Sequence, residues 1–448
     1  MQRIFEIYHD NEAVRLVEEA TVEAWDNTFT VIVGENGVGK SRLLSEIARS
    51  RVRELHGRND VGRHSRAPDP MVIAASTSPF DKFPAPPRRP AKAQKNYRYV
   101  GMRGEGIYGA SSAVSLLSSA ARGLLSKLAE TPPSLNLLGV LDSLSFSPVF
   151  DFILKPQFQR TKADDPSGRY LRKDDKVSFE HDSYKYTIDT RLAAILESTE
   201  GFQEVLKDLS IAADFINFPG TLRMTVDFRT NTASLGGSPV RAKQLRAILR
   251  LFDENLIRLM DIEVQKHKQV AFSLKRASSG EQCLLVLMLG VAGHIQNNSL
   301  VLIDEPEISL HPEWQERFMA LLQTAFSHYR GCQFVIATHS PQIIARLSGA
   351  GSFIYHLRKK QLYPASLFER RSADYQLAEL FDAPGMMNEY ISRVCFNLIA
   401  QVRAGRTITR EMKLEIDWLF TTRAKLDSSD KLRTLIDSVG ELISQGQS

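Results

Sequence analysis

A glycine-rich segment near the start of this 448-residue chain constrains its fold more than any other feature. It follows an apolar, β-branched run at residues 29–33 and precedes a helical pattern that begins near residue 41. The pattern is G-x-x-x-x-G-K-S, and its residues are Gly34, Glu35, Asn36, Gly37, Val38, Gly39, Lys40 and Ser41. A strand, a glycine loop and a helix in this order are typical of α/β folds that bind phosphate groups.

This loop has the chemistry of a nucleotide site. Glycines allow backbone N–H groups to approach phosphate oxygens, and the N-terminus of the following helix adds a partial positive charge. Lys40 is predicted to reach the β- and γ-phosphates, and the Ser41 hydroxyl to bind Mg²⁺. We therefore expect residues 34–41 to bind a nucleoside triphosphate.

Two carboxylates follow a second buried strand. The apolar run at residues 300–303 ends in Asp304 and Glu305. Open α/β sheets bind their ligands at the carboxyl ends of the strands. Asp304 is predicted to hold Mg²⁺ through water, and Glu305 to orient or deprotonate the attacking water. A strand that ends in Asp-Glu is often only a solvated edge, but the phosphate loop favours the catalytic interpretation here.

A serine-rich segment at residues 278–282 precedes the apolar stretch 283–295. One interpretation is a helix start with a capping box, formed by Ser279 with Gln282 or by Ser278 with Glu281. The other is an anion site, because exposed serine and backbone donors at a helix N-terminus bind negative charge. Both interpretations use the same physics, and the sequence favours neither alone.

His339 follows a short apolar run at residues 333–336. A lone histidine at a strand end usually has a structural role. This one comes a single helix after the strand that carries Asp304, so the two strands are able to pair in parallel. In that arrangement His339 would contact the γ-phosphate.

In this order, the four motifs resemble the ABC-type ATPase heads of the SMC, RecF and OLD group. The resemblance implies an α/β fold, with the mixed sheet and antiparallel β subdomain of such a head, a mainly helical insert and a helical C-terminal tail. It implies ATP and Mg²⁺ as cofactors and ATP hydrolysis as the activity. The roles that it implies are Walker A for Lys40 and Ser41, Walker B for Asp304 and Glu305, a signature at Ser279 and Gly280 that contacts the γ-phosphate in trans, a D-loop at residues 307–311 and a switch histidine at His339.

The expected organisation has four parts. Residues 1–83 would form the N-terminal half of the head, 84–220 the insert, 221–363 the C-terminal half and 364–448 the tail. The chain departs from the family pattern after the apolar run at residues 71–75, because the usual glutamine is missing there. Ser78 or Asp81 are the candidates to replace it, and the residue that contacts adenine is not identified.

A narrower resemblance links the chain to PtuA, the ATPase subunit family of Septu-type antiphage systems. It depends on residues 74–83 and 372–390. It implies a sensor and scaffold in a defence complex, with a homodimer or higher homo-oligomer of heads and a partner nuclease. Residues 340–448 contain no Asp-x-Asp pair for a Toprim nuclease site, which favours a nuclease on another chain. The alternative is a DNA-binding repair ATPase similar to RecF.

The sensor hypothesis and the repair hypothesis predict different roles for the basic, proline-rich stretch at residues 82–103. It predicts either a solvated linker outside the core or, through its cations and the interleaved Tyr97 and Tyr99, a contact with nucleic acid. Apolar residues in the tail have two interpretations, packing on the head or contact with another chain. These residues are Phe381, Met386, Met387, Tyr390, Val394 and Ile399.

Composition sets the wider limits. A formal net charge of +5 over 448 residues permits local contact with nucleic acid without arguing for it. Three cysteines without metal-ligand spacing fit a reducing compartment. The stretch 283–295 is too short for a membrane span of about 20 residues, and the N-terminus lacks the apolar core of a signal peptide. We expect a soluble, cytoplasmic protein without membrane contact.

Overall fold

The computed structural model describes most of the chain. The described residues are 3–35, 37–58, 70–85, 96–101, 103, 112–130, 137–162, 176–197, 202–216, 220–266, 269–308, 310–369, 371–404 and 406–446. The strands, numbered in chain order, are β1 (Glu6–His9), β2 (Glu12–Arg15), β3 (Thr28–Val33), β4 (Val72–Ser76), β5 (Tyr97–Gly101), β6 (Val149–Pro156), β7 (Phe158–Lys162), β8 (Lys176–His181), β9 (Tyr184–Asp189), β10 (Leu222–Asp227), β11 (Thr232–Leu235), β12 (Ser238–Pro239), β13 (Ile257–Val264), β14 (Phe272–Ser273), β15 (Leu300–Asp304), β16 (Gln333–Ala337), β17 (Ser352–His356) and β18 (Gln361–Pro364). The helices are α1 (Lys40–Arg58), α2 (Ser112–Leu128), α3 (Leu138–Ser143), α4 (Thr190–Glu197), α5 (Phe202–Ala213), α6 (Ala242–Asp253), α7 (Ser279–Ala292), α8 (Pro312–Ala325), α9 (Pro341–Ile344), α10 (Ala373–Glu379), α11 (Glu389–Arg403), α12 (Arg410–Arg423) and α13 (Lys431–Gly446).

A seven-stranded mixed sheet forms the centre of the molecule. Its order is β18-β17-β3-β16-β15-β4-β5, and only the β17–β18 pair is antiparallel. Every residue of β3, β4, β15, β16 and β17 is buried, as expected for parallel strands covered on both faces. One face packs with α1 in one apolar cluster, and the other belongs to the larger cluster that contains α7 and α8.

Antiparallel β structure forms a second unit. One sheet has six strands in the order β12-β11-β10-β6-β13-β14, and another has three in the order β7-β9-β8. The predicted α/β fold with a mixed sheet and antiparallel β structure is therefore confirmed. The segment 84–220 contains helices α2 to α5, but it also supplies strands β5 to β9, which the helical expectation did not include. Two of these strands, β5 and β6, complete sheets that the rest of the chain begins.

Helix α6 ends at Asp253, and the chain continues into β13 at residues 257–264. Asn255 has a φ of +59°, a left-handed conformation that stops a helix and that asparagine tolerates better than most residues.

The basic stretch at residues 82–103 is part of the core at its C-terminal end. Residues 86–95, 102 and 104–110 lie outside the described residues. Tyr97 and Tyr99 belong to β5 and are buried, so the prediction that they stack on bases is wrong. Their hydroxyls donate to the Pro84 carbonyl at 2.9 Å and to Asp81 at 2.6 Å, which ties β5 to the loop after β4.

The C-terminal region is helical, as predicted, and it has its own small core. Helices α11 to α13 surround Ile391, Cys395, Leu398, Leu419 and Ile436. Upstream of these helices the chain still belongs to the main core, which includes Phe368, Leu380 and Phe381.

The apolar tail residues fall into two groups. Phe381 is buried in the main core, as packing on the head predicts. Val394 is buried in the small core of the tail itself, and Tyr390 and Ile399 pack partly against that core. Met386 and Met387 are more than half exposed.

Candidate functional site

Three neighbouring strands deliver the predicted residues to one edge of the central sheet. Strand β16 lies between β3 and β15 and pairs with both in parallel, and Ala337 is opposite both Ile32 and Asp304. Parallel strands end at the same edge, so the loop after β3, the carboxylates after β15 and the histidine after β16 meet there. The expectation that the histidine strand pairs in parallel with the carboxylate strand is confirmed.

The phosphate loop has the backbone conformation that its glycines allow. Gly37 and Gly39 have φ angles of +80° and +103°, in a region that other residues rarely adopt. A Cβ on Gly39 would lie 3.1 Å from the Arg42 guanidinium and 3.2 Å from Nε2 of the buried His9. Asn36 lies outside the described residues.

Lys40 is buried and folded back over the loop. Its Nζ donates to the carbonyl oxygens of Gly34 at 2.7 Å and Glu35 at 2.9 Å. A third contact, at 3.0 Å, joins it to Nδ1 of His339, which is 299 residues away in the sequence. An ammonium group only donates, so Nδ1 must accept and the ring proton must be on Nε2. Nε2 in turn lies 3.2 Å from Oε1 of Glu305, so His339 connects the lysine to the carboxylate.

Ser41 and Asp304, the two residues predicted to bind Mg²⁺, are in direct contact. The Ser41 hydroxyl donates to Oδ1 of Asp304 at 3.0 Å, and the carboxylate is almost completely buried. Hydroxyl and carboxylate oxygens are the hard ligands that Mg²⁺ prefers, usually together with water and substrate phosphates. Among the described residues, no group of three or more His, Cys, Asp or Glu side chains would hold a metal by itself. The pair therefore fits an ion that is shared with a nucleotide.

The site has unusual electrostatics. Burial lowers the pKa of Lys40 to about 8, although Glu305, Glu307 and Asp304 oppose the shift. Burial raises the pKa of Asp304 to about 7 against the Ser41 hydrogen bond, and Glu305 raises it further. Burial and the nearby Lys40 lower the pKa of His339 to about 4, so the imidazole is neutral at pH 7. Perturbed pKa values of this kind cluster at functional sites.

Glu305 has a strained backbone. Its φ is +48°, in the left-handed region, and its N–H donates to the Ala337 carbonyl at 3.0 Å. Non-glycine residues rarely adopt this conformation, and those that do cluster at functional sites. Here the conformation turns the chain away from β15 directly after the buried Asp304.

Ser279 and Gly280 lie at the N-terminus of α7. Ser278 caps this helix and forms a capping box with Glu281, which confirms one of the two predicted pairs. Lys266 donates to Glu281 at 2.6 Å and fixes the first turn. Within the described part of the chain, no hydrogen bond or ion pair connects Ser279 or Gly280 to the phosphate loop.

The two candidates for the missing glutamine are engaged elsewhere. Asp81 is buried and accepts hydrogen bonds from Tyr99, from the Arg103 guanidinium and from the Phe83 backbone N–H. Its charge still acts on Asp304, whose pKa it helps to raise. The Ser78 hydroxyl accepts from the Phe80 N–H at 3.2 Å. Asp81 thus acts on the site only electrostatically, while its hydrogen bonds to Tyr99 and Arg103 hold β5 in place.

Sequence reasoning placed Glu307 in the expected D-loop without predicting its contact with His339, and it missed Arg358 altogether. Glu307 accepts a hydrogen bond from the His339 backbone, and Arg358 pairs with Glu35 of the phosphate loop at 2.5 Å. The first is in the motif after Asp304, where a third acid within four residues was a usable signal. The second follows β17, and no local pattern relates it to a loop more than 300 residues earlier.

Part of the chain matches a known family model. Residues 159–345 match the family described as "AAA domain, putative AbiEii toxin, Type IV TA system". The matched region is less than half of the chain, contains Asp304, Glu305 and His339, and begins after the phosphate loop. It supports an ATPase domain of AAA type.

Three curated proteins are similar to short stretches of the chain. The retron Ec83 probable ATPase of Escherichia coli is 32% identical over 95 residues, which are 19% of this chain and 17% of that protein. The retron Vc95 probable ATPase of Vibrio cholerae serotype O1 biovar El Tor is 29% identical over 157 residues, 32% of this chain and 30% of that protein. Protein ea59 of Escherichia phage lambda is 31% identical over 96 residues, 21% and 17% of the two chains. The matches span only 17% to 30% of these relatives' lengths.

Two solved structures are similar in parts. The SMC head domain from Thermotoga maritima is 20% identical, with a TM-score of 0.17, over 30% of this chain and 64% of that chain. The SmcHead bound to the C-winged helix domain of ScpA is 10% identical, with a TM-score of 0.25, over 79% and 91%. Scores this low do not establish a common fold. Among the described residues, no helix is both long and apolar enough to cross a membrane.

Proposed function

We propose that this chain binds ATP with Mg²⁺ at residues 34–41 and hydrolyses it to ADP and phosphate. The observation that carries the proposal is the convergence of Lys40, Ser41, Asp304, Glu305 and His339 at one sheet edge. Three of them, Lys40, His339 and Glu305, form a continuous chain of contacts of 3.0 and 3.2 Å. The match to an AAA-type family model supports the same activity.

Each side chain has a role that its environment supports. Lys40 would exchange its contact with His339 for the β- and γ-phosphates, and Ser41 with Asp304 would hold the Mg²⁺ that neutralises those phosphates. Glu305 would accept the proton of the water that attacks the γ-phosphorus. Neutral His339, with its proton on Nε2, would donate to a γ-phosphate oxygen or to the developing phosphate.

We further propose that a second copy completes the site. Ser279 and Gly280 lie at a helix N-terminus, which favours an anion, yet no hydrogen bond or ion pair joins them to the described residues of their own phosphate loop. In a head-to-tail homodimer the signature of one copy would cover the nucleotide of the other. Nucleotide binding would then control the assembly state, and higher homo-oligomers would use the same contact.

The biological role that we propose is antiphage defence, with this chain as sensor and scaffold for a partner nuclease. The similarity to two retron ATPases supports a defence setting. The Septu-type assignment is a narrower version of this proposal and depends on residues 74–83 and 372–390. The repair-ATPase alternative has less support, because Tyr97 and Tyr99 are buried rather than available for nucleic acid.

The central experiment compares Glu305→Gln with Lys40→Ala. Glu305→Gln removes the base and leaves the metal pair intact, so we expect ATP to bind normally while phosphate release falls by about 100-fold or more. Lys40→Ala should lose ATP binding with the fold retained. Glu313→Gln is the matched control, because Glu313 is an exposed glutamate on α8. Normal turnover in Glu305→Gln would refute its role as base.

The defence role needs a separate test. The chain would be expressed in bacteria with its genomic neighbours and challenged with phages. Loss of protection in Lys40→Ala, together with copurification of a nuclease, would support the proposal. Unchanged protection in that variant would exclude a role for nucleotide binding in defence.

A further inference from the structure

Glu307 lies in the turn after β15 and binds the backbone of the residue at the centre of the site. Its Oε1 accepts a hydrogen bond from the His339 N–H at 2.5 Å. The Thr338 side chain is also hydrogen bonded to this carboxylate. The other oxygen, Oε2, is buried and has no hydrogen-bond partner in the described structure. A buried carboxylate oxygen without a partner costs free energy, so Glu307 does not stabilise the turn as fully as a completely hydrogen-bonded carboxylate would.

The position of His339 depends on few contacts. Its side chain touches Lys40 through Nδ1 and Glu305 through Nε2. Its backbone N–H has Glu307 as its partner. The flanking residues have further contacts, because the Thr338 N–H donates to Ile32 at 3.2 Å and the Ser340 hydroxyl to Gln315 at 2.6 Å.

A bound triphosphate would change which groups hold the His339 imidazole. Lys40 has its three donors engaged by two loop carbonyls and His339, so a γ-phosphate that takes one of them competes with the imidazole. Without the lysine, the imidazole keeps only Glu305 as a side-chain partner. The geometry of the ring then depends mainly on where its own backbone is held.

We propose that Glu307 is a positioning residue for the hydrolysis step. It fixes the backbone of His339, so that the imidazole stays beside the γ-phosphate after the Lys40 ammonium has left the imidazole for the phosphate. The inference rests on the proposed ATP hydrolysis. Glu307 acts through His339 and does not touch the reacting atoms. Its loss should therefore lower kcat and leave KM nearly unchanged, since the phosphate loop and metal pair remain intact.

The test uses steady-state ATP turnover in five proteins. They are the wild type, Glu307→Ala, Glu307→Gln, His339→Ala and the double variant Glu307→Ala/His339→Ala. We expect Glu307→Ala to lower kcat about tenfold with KM within about twofold, in line with a misplaced catalytic group. Glu307→Gln should stay within about threefold of the wild type, because its amide oxygen still accepts from the His339 N–H. Glu313→Ala is the control for loss of an acid elsewhere.

The double variant separates positioning from a general structural effect. If Glu307 acts through His339, its removal should add nothing once the imidazole is absent, so the double variant should match His339→Ala. Full kcat in Glu307→Ala, or independent losses that multiply in the double variant, would overturn the proposal. A misfolded Glu307→Ala, seen in thermal unfolding, leaves Glu307→Gln as the decisive protein: a tenfold loss of kcat there would contradict the hydrogen-bond argument.

A second measurement does not require hydrolysis. Diethylpyrocarbonate modifies accessible imidazoles, and mass spectrometry follows His339 alone. With a non-hydrolysable ATP analogue present, Glu307→Ala should raise the modification rate of His339 at least about threefold, because the backbone is no longer fixed. An unchanged rate would refute positioning. If the wild type does not hydrolyse ATP but Glu307→Ala still raises the modification rate of His339, the proposed hydrolysis is refuted and the positioning role of Glu307 is supported.

Discussion

Nucleotide affinity should fall steeply in mildly alkaline solution, because Lys40 titrates there in the free protein. Burial lowers its pKa to about 8, whereas bound phosphates favour the charged form and raise the pKa. Binding is therefore accompanied by proton uptake above pH 8. By linkage, affinity is constant well below pH 8 and decreases about tenfold per pH unit well above it, until the pKa of the bound state is reached.

The size of the loss in nucleotide affinity follows from the pKa of Lys40. With a free pKa of about 8, and with the pKa of the bound state raised beyond the range tested, the dissociation constant should rise about 25-fold between pH 7.5 and 9.5. The terminal phosphate of ATP is already ionised over this range, so its own titration contributes little. The other acid–base groups in the site, Asp304 and His339, have pKa values of about 7 and 4 and titrate below it.

The assay is equilibrium binding of a fluorescent ATP analogue with saturating Mg²⁺ at constant ionic strength. Lys40→Met is the control, because it lacks the titrating group; any residual binding, measured at high protein concentration, should not change over the same pH range. A rise of less than about threefold for the wild type would refute the reasoning and place the free pKa of Lys40 near its ordinary value. A parallel rise in Lys40→Met would assign the titration to another group.

The remaining predictions concern the metal pair, the dimer and the tail. Because a proton on Asp304 competes with the metal, Mg²⁺ affinity should fall as pH drops below about 7, and titration calorimetry of Mg²⁺ in the presence of a non-hydrolysable analogue would detect this. Lys40→Ala and Ser279→Arg should each lack ATP turnover alone and regain part of it when mixed; full activity of Ser279→Arg alone would exclude the signature in trans. Asp382→Ala should destabilise the tail by about 2 kcal/mol in urea unfolding, less than the ~3–5 kcal/mol of a fully buried pair. The reason is that the largely buried Asp382 carboxylate accepts from Lys425 at 2.6 Å and lies 3.4 Å from the His356 imidazole. An exposed control, Asp417→Ala, should have no effect, and an equal loss in both would contradict the argument.

The tail boundary illustrates the limits of sequence patterns. The predicted boundary at residue 364 does not separate head from tail, because Phe368, Leu380 and Phe381 pack in the main core. Helical periodicity reports that a segment has an apolar face, but it does not say which surface covers that face. We therefore propose residue 388 as the better position for a truncation that leaves the head intact.

Local sequence determined the chemistry of this protein. The glycine loop, the lysine and serine that follow it, and the carboxylates at the end of an apolar strand were readable because backbone conformation and phosphate recognition impose residue types at fixed short spacings. The start of α7 was readable for the same reason, since a capping box satisfies the free N–H groups of a helix within four residues.

Only the tertiary structure decided how these pieces meet. The parallel pairing of β3, β16 and β15 brings Lys40 into contact with His339, 299 residues away in the sequence. The same pairing places the protonated Nε2 of the imidazole beside Glu305. The burial of Tyr97 and Tyr99 depends on β5 joining the sheet edge beside β4, which no local pattern specifies. The same is true of Glu307, because the partner of a carboxylate is chosen by the strand that ends beside it. Strand order is a property of the whole chain, and it fixed which charges share the low-dielectric edge where their pKa values shift.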